Sequence, residues 1–382
     1  MVRAWAAEGG HEMTDVCRCV YIDARPLWCR RFTGIARYTA RLALELAAHV
    51  QVRFFFDGDE AVARPGLNGS HEQDLARWAR RIVRSPRRPL ETPPAGSVGI
   101  YPAARPLARR FPFEVSVLHD FSPLLLPATH TEATRREYEQ FFAQTVLSSD
   151  LVLADSHSTK ADSAWLTALP QERVVVAHCG PSLCVHGHAH KPPAVRSKHI
   201  GLVVSTLEPR KNPEFLLDWF ARTNVLPHRS ELWWAGPMGW LTSRNQKRRM
   251  GGLPGARKVR FLGAVSDSSL CRLYQQAAWS IYPSLYEGFG FPVLDSLRHG
   301  TPVLAGGHSA VREFSSPGLA FFDPCDPASV DAAWVKLFAA GVPEIPAAPL
   351  DERYSWRRVV RLIMERHAQW RMQGRLHAEM AA

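Results

Sequence analysis

The sequence predicts an α/β protein with two domains, each built on a parallel sheet. First, its 382 residues are too many for one hydrophobic core of ordinary size. Second, short β-rich runs alternate with segments of helical periodicity, which is typical of parallel sheets with helices on both faces. Third, residues 183–199 carry the prolines, histidines and basic residues of a linker and divide the chain into two halves of similar size.

The predicted elements follow one another in this alternating order. Strands are expected at 19–23, 52–56, 114–118, 151–154 and 174–177 in the first half, and at 200–205, 232–235, 259–262, 279–282 and 302–305 in the second. Helical periodicity is found at 35–48, 132–147, 213–223 and 268–277. We therefore predict a disordered extension (1–18), an N-terminal α/β domain (19–182), the linker (183–199), a C-terminal α/β domain (200–353) and an amphipathic helix (354–382).

Composition indicates a soluble cytoplasmic protein. Hydrophobic residues make up 46% of the chain and 12 residues are tryptophan, as expected of a well-packed core. No apolar run is long enough to span a bilayer, and no signal peptide opens the chain, for which Met13 is an alternative start. Seven cysteines without framework spacing fit a reducing compartment.

The net charge of +11 is concentrated in one segment, residues 77–88. Six arginines lie there, among them Arg77, Arg80, Arg81 and Arg84. As a helix, this segment has a basic surface interrupted by Trp78, Ile82 and Val83, as in a helix lying on anionic lipid. A solvated arginine-rich face is the alternative. We expect no nucleic-acid partner, because no helix-turn-helix, zinc finger or RNP pattern is present.

Candidate site residues come directly after predicted strands, where ligands of open α/β sheets bind. Gly34 opens a helix after the first strand and lets a ligand approach the backbone. His119 and Asp120 follow the strand at 114–118. Each of these signals is weak alone, since a helix start or a hydrogen-bonded structural histidine explains it equally well.

The turn after the strand at 200–205 carries two adjacent cations, Arg210 and Lys211. Asn212 is placed to cap the following helix, and Pro213 suits its first position. Two cations beside a helix N-terminus match a diphosphate, because their charge, the helix dipole and the free N–H groups all favour an anion. A solvated basic turn is the alternative.

The stretch from Tyr286 to Asp295 places two acids eight residues apart around a glycine-rich turn. It is predicted as strand, loop and helix, with Glu287 on the loop, Pro292 at the first helical position and Asp295 in the first turn. Glycine backbone and free helix N–H groups between the acids form an anion site. The alternative is that Asp295 binds no ligand and only complements the helix dipole.

Two other patterns imitate metal sites. Asp57-Gly-Asp59-Glu60 spells D-x-D, and we interpret it as a solvated turn. A group of cysteines and histidines around the linker lacks paired C-x2-C spacing, so we expect no zinc site there. It consists of His178, Cys179, Cys184, His186, His188 and His190.

Together the four strand-end segments resemble the family-4 retaining glycosyltransferases, which have the GT-B architecture of two Rossmann-like domains facing a cleft. Residues 283–295 with 300–304 resemble the family's E-x7-E segment, and 206–212 its G-T-L-E-P-R-K-N turn. Residues 22–27 with 33–39 resemble its N-terminal glycine loop, and 117–120 its V-H-D turn. The resemblance runs from about residue 19 to the C-terminal helix, which it implies crosses back to the N-terminal domain.

The resemblance implies a role for each matching residue. Arg210 and Lys211 would hold the diphosphate of a nucleotide sugar, Glu287 would position the sugar with His119 nearby, and Asp295 would accept from the ribose. Further donor contacts would come from Gly34, Thr206, Gly288, Phe289, Gly290 and Phe291. No metal and no cofactor are implied, because the nucleotide sugar is a substrate and the cations replace a metal.

The implied function is transfer of a hexose from GDP-mannose or a UDP-hexose to a lipid-linked or saccharide acceptor of bacterial surface polysaccharide, at the inner face of the membrane. The sequence departs from the family pattern at Ser205, Thr206 and Asp295, where Gly, Arg and Glu are usual. Two alternatives therefore stay open: a nucleotide-sugar epimerase on the same fold, and a sugar-nucleotide-binding protein with weakened catalysis.

Overall fold

A computed structural model describes residues 19–28, 32, 34–62, 75–103, 108–136, 138–139, 148–183, 196–240 and 259–381. The predicted extension 1–18, most of the linker, and Cys184, His186, His188 and His190 lie outside these residues. The described strands form two sheets, one in each half of the chain. We call each sheet with its helices the N-terminal lobe and the C-terminal lobe.

The sheet of the N-terminal lobe has the strand order β4-β3-β2-β1-β5-β6-β7-β8. Its strands are β1 Cys19–Asp23, β2 Gln51–Phe56, β3 Asp59–Ala61, β4 Arg87–Pro89, β5 Val98–Tyr101, β6 Phe113–Leu118, β7 Leu151–Ala154 and β8 Val174–Val176. The six strands β2, β1, β5, β6, β7 and β8, which are neighbours in this order, pair in parallel. Strands β3 and β4 extend the sheet beyond β2 with antiparallel pairing. The six parallel strands therefore end at one edge of the sheet.

The sheet of the C-terminal lobe is parallel throughout, with the order β11-β10-β9-β12-β13-β14. Its strands are β9 Ile200–Val204, β10 Glu231–Ala235, β11 Val259–Gly263, β12 Trp279–Tyr282, β13 Val303–Gly306 and β14 Leu319–Phe322. The strand order reverses between β9 and β12. Ligands of such sheets bind at the carboxyl ends of the strands at this point.

Helices cover the sheets. Those of the N-terminal lobe are α1 Gly34–Ala47, α2 Leu75–Val83, α3 Ser122–Leu125 and α4 His157–Leu166. Those of the C-terminal lobe are α5 Pro213–Arg222, α6 Asp267–Gln276, α7 Phe291–Arg298, α8 Pro327–Phe338 and α9 Ala348–Arg353, and α10 Trp356–Ala381 ends the chain. Residues 132–136 and 138–139 are also helical, and the rest of the predicted helix at 132–147 lies outside the described residues.

All ten predicted strands are present with bounds shifted by one residue or less, but four strands were missed. Strands β3 and β4 are three residues each, too short to show an alternation. Strand β5 stands behind a proline- and glycine-rich stretch, and β14 is a four-residue run, Leu319–Phe322. Their pairing comes from the neighbouring strands, which a local pattern does not report.

The arginine-rich helix α2 packs its apolar side on the core, so our interpretation of these residues as a lipid-facing stripe is wrong. Trp78 is 1% exposed and Ile82 is 2% exposed, and the Trp78 ring meets Phe54 edge to face at 5.7 Å. Arg77, Arg80, Arg81 and Arg84 are exposed on the opposite side. The amphipathic pattern was correct, and its apolar face belongs to the protein.

The last helix, α10, crosses back from the C-terminal lobe to the N-terminal lobe. Trp356 at its start donates its indole N–H to the carbonyl of Pro181 at 2.9 Å and meets the Tyr38 ring edge to face at 5.0 Å. About three to four turns further along the helix, His367 and Trp370 pack on Phe113 of β6. This arrangement confirms the crossing predicted for the C-terminal helix.

Candidate functional site

The carboxyl ends of the two sheets face each other across a cavity of about 960 Å³. Twelve of the fifteen candidate site residues line it, from both lobes: Gly34, Arg80, His119, Thr206, Arg210, Lys211, Glu287, Gly288, Phe289, Gly290, Phe291 and Asp295. Arg77, Arg81 and Arg84 do not line the cavity. A cleft of this size, closed by two lobes and lined by convergent charged groups, is the place for a substrate.

The two cations of the basic turn and the first acid form one cluster on the C-terminal lobe. Arg210 Nη1 lies 3.1 Å from Glu287 Oε2 and donates to the carbonyl of Tyr286 at 2.7 Å, while its Nη2 lies 3.0 Å from Glu208 Oε1. Lys211 Nζ pairs with Glu287 Oε1. The three side chains of Arg210, Lys211 and Glu287 are 12–16% exposed, so their charges are largely withdrawn from water.

These pairings set the protonation of the cluster. Burial acts to raise the pKa of Glu287, but the neighbouring charges of Lys211 and Arg210 dominate and lower it to about 2. Burial acts to lower the pKa of Arg210, and Glu287 with Asp120 and Glu208 raises it. At neutral pH the cluster is therefore a carboxylate held between two cations.

The backbone of the basic turn differs from the expectation at one residue. Pro209–Lys211 forms a short 3-10 turn, and α5 begins at Pro213 as predicted. Asn212 adopts a left-handed conformation (φ 54°, ψ 49°), and its side chain donates to the carbonyl of Pro324 at 2.7 Å instead of capping α5. The prediction of a side-chain cap is wrong, because the side-chain amide of Asn212 hydrogen-bonds the loop that follows β14.

The glycine-rich loop leads into α7 through a left-handed glycine. Gly290 has φ 105°, a conformation that residues with a Cβ rarely adopt, and helix α7 starts at Phe291. Pro292 therefore takes the second helical position and Asp295 the second turn, one position later than predicted. In the first turn of α7, Pro292 has no N–H group, and Val293 and Leu294 donate to the carbonyl of Gly290. Phe291 is therefore the residue of this turn whose N–H group can be offered to the cleft.

Asp295 accepts hydrogen bonds from the segment that joins the two lobes. Its Oδ1 accepts the N–H of Ser182 at 3.1 Å and that of Leu183 at 3.4 Å, and its Oδ2 accepts the Ser182 hydroxyl. Burial raises the pKa of Asp295, against the hydrogen bonds from Ser182. Its oxygens are engaged with the interlobe segment, so the implied contact with a ribose stays a prediction.

His119 is held by hydrogen bonds at both ring nitrogens. Nδ1 lies 2.6 Å from Asp155 Oδ2, and Nε2 lies 2.7 Å from the carbonyl of Pro102. Burial acts to lower the pKa of His119, while the Asp155 carboxylate raises it and prevails. The ring is thereby fixed in orientation at the wall of the cleft, and its role toward a donor sugar stays a prediction.

The two lobes touch at several points around the cleft. Gly288 lies against the backbone of His119, where a Cβ on Gly288 would come within 1.9 Å of the His119 carbonyl oxygen. Arg37 Nη2 lies 2.6 Å from Asp267 Oδ1, and the N–H of Leu75 donates to Asp267 Oδ2 at 3.1 Å. We call this arrangement, in which the two lobes are in contact around the cleft, the closed form.

Sequence reasoning missed Asp155, Arg37 and Asp267, which organise this site. Asp155 directly follows β7, so the strand-end rule that selected His119 would have found it as well. Arg37 and Asp267 meet across 230 residues of sequence, and no local pattern reports such a pair. His130 and Trp240, which also line the cavity, were missed for the same reason.

Residues 57–60 lie among the described residues, and so do His178 and Cys179 of the second metal-like pattern. Asp57 and Gly58 form the turn between β2 and β3, whereas Asp59 and Glu60 begin β3. Glu60 is buried and pairs with Arg53 and Arg88. Only half of the pattern is therefore the solvated turn that we predicted. His178 lies with His157 and Glu313 in a group that could hold an ion. Glu313, however, already accepts the N–H groups of His157 and Ser158 and a contact from His178, so its oxygens are satisfied.

No helix in the described part of the chain is long and apolar enough to cross a membrane.

A family model described as Glycosyl transferases group 1 matches residues 198–340, which hold the basic turn and the glycine-rich loop. The O-antigen chain mannosyltransferase B of Escherichia coli is 26% identical over 244 residues. That match covers 59% of this chain, which spans only about three fifths of the relative (61%).

Solved structures match over almost the whole chain. Alr3699/HepE of Anabaena, in complex with UDP and glucose, has a TM-score of 0.58 at 15% identity and covers 91% of this chain and 98% of its own. WaaG, a glycosyltransferase involved in lipopolysaccharide biosynthesis, has a TM-score of 0.55 at 16% identity and covers 91% and 95%.

The fold and the cleft define a class: this is a protein of the GT-B architecture, with two parallel-sheet lobes and a shared cleft. More particularly, residues 198–340 match the family model of the group 1 glycosyl transferases, and mannosyltransferases are among the proteins to which the chain is similar. The resemblance inferred from the motifs is confirmed.

Proposed function

We propose that this protein transfers a hexose from a nucleotide diphosphate sugar to a hydroxyl group of a saccharide or lipid-linked acceptor, with retention of the anomeric configuration. The observation that carries the proposal is the cluster of Arg210, Lys211 and Glu287 in the interlobe cleft, beside the N-terminus of α7. Two buried cations and a helix start are matched to a diphosphate, and the adjacent carboxylate to sugar hydroxyls.

Donor binding exchanges the partners of this cluster. Glu287 pairs with both Arg210 and Lys211, and Glu208 pairs with Arg210. An incoming diphosphate takes over the cations, which leaves the Glu287 oxygens free to accept from hydroxyl groups of the sugar. The same cations then stabilise the charge that develops on the departing phosphate, which is the largest catalytic contribution in a cleft that excludes water.

The remaining groups hold the two reactants in place. The N–H groups of Phe289, Gly290 and Phe291 at the start of α7 face the donor, and Gly34 at the start of α1 closes on it from the other lobe. The departing phosphate oxygen accepts the proton of the acceptor hydroxyl, so the reaction needs no nucleophilic side chain. Arg210 and Lys211 supply the positive charge that a metal provides in other transferases.

The donor and the biological setting are proposed from the relatives. Mannosyltransferase relatives favour GDP-mannose as donor, and the Anabaena structure was solved with UDP, which makes a UDP-hexose the second choice. The relatives also favour bacterial O-antigen or exopolysaccharide synthesis in the cytoplasm. Thr206 and Asp295 belong to the donor side of the cleft, where Asp295 would meet the ribose once the interlobe segment moves away from it.

A donor screen followed by a transfer assay tests the proposal. We expect GDP-mannose to raise the unfolding midpoint, because a ligand that binds only the folded state stabilises it, and UDP-glucose, mannose and GDP serve as comparisons. Transfer is then followed with p-nitrophenyl α-mannoside as acceptor. Sugar-nucleotide turnover without acceptor would favour an epimerase, and donor binding without any transfer would favour a binding protein.

We further propose that the protein contacts an anionic membrane surface through its basic edge, defined as Arg77, Arg81, Arg84, Arg87 and Arg88. These side chains are exposed along α2 and β4, at the outer edge of the N-terminal sheet. Trp28, 64% exposed, and Val62, 55% exposed, are apolar residues of the same lobe, and Arg87 lies over the Trp28 ring at 4.9 Å. Basic side chains beside exposed aromatic residues suit a lipid headgroup region.

The membrane proposal has a matched control on the last helix. Replacing Arg77, Arg81 and Arg84 by glutamine should abolish sedimentation with vesicles containing phosphatidylglycerol and leave donor affinity unchanged, because these residues lie outside the cleft. The same change at Arg357, Arg358 and Arg361, exposed on α10, removes equal charge elsewhere and should have little effect. Equal binding of both triple variants would overturn the contact.

A further inference from the structure

His130 is a buried polar side chain of the cleft wall whose hydrogen-bonding capacity is unused. It is 8% exposed and lies just beyond a short 3-10 turn, Pro127–Thr129, which follows α3 on the N-terminal lobe. Within the described part of the chain, neither of its ring nitrogens has a hydrogen-bond partner. Buried polar groups in native proteins are nearly always satisfied, so a histidine that lines the cavity with two buried, unpartnered ring nitrogens points to a ligand.

The ring is held in place by a contact from the opposite lobe. Trp240 follows β10 and stacks on His130 with ring centroids 5.8 Å apart and an interplanar angle of 29°. Its indole N–H donates to the carbonyl of Thr129 at 2.8 Å, next to His130 in sequence. Trp240 therefore fixes the imidazole plane without using either of its nitrogens.

The surroundings of His130 decide what kind of group it meets. Burial lowers the pKa of His130, and the positive charge of Arg210 lowers it further, against a smaller effect of Asp120. The neutral ring carries one donor and one acceptor nitrogen, which matches a hydroxyl group or two neighbouring hydroxyls. A cationic ligand is disfavoured by Arg210, and an anionic one has no charge to meet on a neutral ring.

The position of His130 separates the acceptor from the donor. The donor cluster of Arg210, Lys211 and Glu287 lies on the C-terminal lobe, whereas His130 lies on the opposite wall, with Ser122 and Thr134 lining the same cavity. It is nevertheless close enough to Arg210 for that charge to act on it. A substrate group near the leaving phosphate but on the other wall is the hydroxyl-bearing sugar that receives the hexose.

We propose that His130 is a positioning residue for the acceptor, that its ring nitrogens hydrogen-bond hydroxyl groups of the acceptor sugar, and that Trp240 assembles this subsite only when the lobes close. The proposal rests on the proposed function and deepens it. It requires no new covalent step, because His130 orients the hydroxyl and the phosphate oxygen still takes its proton.

The test separates acceptor recognition from donor binding. His130→Ala should raise KM for p-nitrophenyl α-mannoside about tenfold or more, the loss expected for one or two hydrogen bonds in a buried site. The Kd for GDP-mannose, measured by titration calorimetry, should stay unchanged. His130→Gln retains a donor and an acceptor and should recover part of the loss. His228→Ala, at an exposed site before β10, is the matched control.

The outcomes are distinct. An unchanged acceptor KM in His130→Ala, or weaker GDP-mannose binding, overturns the inference and leaves the proposed function standing. If His130→Ala does not fold, the KM of Trp240→Phe, which loses the bond to Thr129, decides in the same way. A wild-type chain that binds donor but transfers nothing to the aryl mannoside contradicts the acceptor class, and one that binds neither GDP-mannose nor UDP-glucose contradicts the proposed function itself.

Discussion

At the scale of single residues, the site depends on the carboxylate of Glu287 and on the two cations that pair with it, Arg210 and Lys211. Lys211 and Arg210 are not equivalent in this cluster. Arg210 is also bonded to Glu208 and to the backbone of Tyr286, whereas the Lys211 ammonium pairs, within the described part of the chain, with Glu287. Lys211 is therefore the cation whose loss disturbs the fold least and the diphosphate site most.

We predict that Lys211→Met lowers kcat for hexose transfer by about two to three orders of magnitude, the usual cost of removing one group that stabilises developing negative charge. The thermal midpoint should change little, because Arg210 still neutralises Glu287. Lys198→Met, at an exposed position before β9, is the control and should keep wild-type activity in the same steady-state assay. Wild-type kcat in Lys211→Met would remove Lys211 from the mechanism.

The protonation of Glu287 gives a second prediction at this scale. Its pKa is about 2 in the folded protein, below the ordinary 4.5, so its charge stabilises the fold above pH 4.5 and this contribution is lost as the pH falls toward 2. The difference in unfolding free energy between wild type and Glu287→Gln should therefore shrink between pH 5 and pH 3. Urea titrations at both values measure it, with the exposed Glu344→Gln as reference. A constant difference would contradict the pairing.

At the scale of elements, the loop between β12 and α7 depends on glycines for two different reasons. Gly290 needs a left-handed backbone (φ 105°), whereas Gly288 needs space, because a Cβ there would lie 1.9 Å from the carbonyl oxygen of His119. The first requirement is local and the second comes from the other lobe. Gly288 thus records how closely the two strand-end loops approach when the cleft is closed.

We expect Gly288→Ala to hold these loops apart and to raise KM for the donor at least tenfold, while each lobe keeps its own core. Gly58→Ala is the matched control, since a Cβ at Gly58 meets no atom within 4 Å. Steady-state kinetics with GDP-mannose measure the effect, and circular dichroism checks the fold. Donor KM equal to that of wild type would show that closure does not bring these backbones into contact.

The sequence predicted the elements and the cluster of motifs better than it predicted the contacts between them. Periodicity located the buried strands such as β1 and β12, because each has a continuous apolar run. The strand-end rule selected His119 and Arg210 correctly as cleft residues. It could not report that Asp295 would bind Ser182, or that Trp78 would face the core, since both depend on what the rest of the chain places opposite them.

At the scale of the whole molecule, the lobes are held together by contacts that flank the cleft on different sides. Asp267 on α6 accepts from Arg37 and from the N–H of Leu75. Glu313, in a 3-10 turn of the C-terminal lobe, accepts from the start of α4. Because these contacts join separate elements of the two lobes, they stabilise the closed form over an open one.

We predict that Asp267→Asn shifts the protein toward an open form, because the neutral amide loses the ion pair with Arg37. The radius of gyration from small-angle X-ray scattering should increase, and saturating GDP-mannose should reverse part of the increase. Asp218→Asn removes an exposed ion pair with Arg222 inside one helix, α5, and should leave the scattering curve unchanged. Identical curves for all three proteins would show that Asp267 does not hold the lobes together.

The chain passes between the lobes twice, and the two passages touch each other. A Cβ on Gly180 in the first passage would lie 2.7 Å from the backbone nitrogen of Trp356, which begins the second, and the indole of Trp356 is bonded to Pro181. Because the two connections between the lobes are in contact at one point, the lobes can rotate about that point but cannot easily slide past each other. We therefore expect the cleft to open by rotation of the lobes about Gly180 and Trp356. Residues far from this hinge would then move the greatest distance.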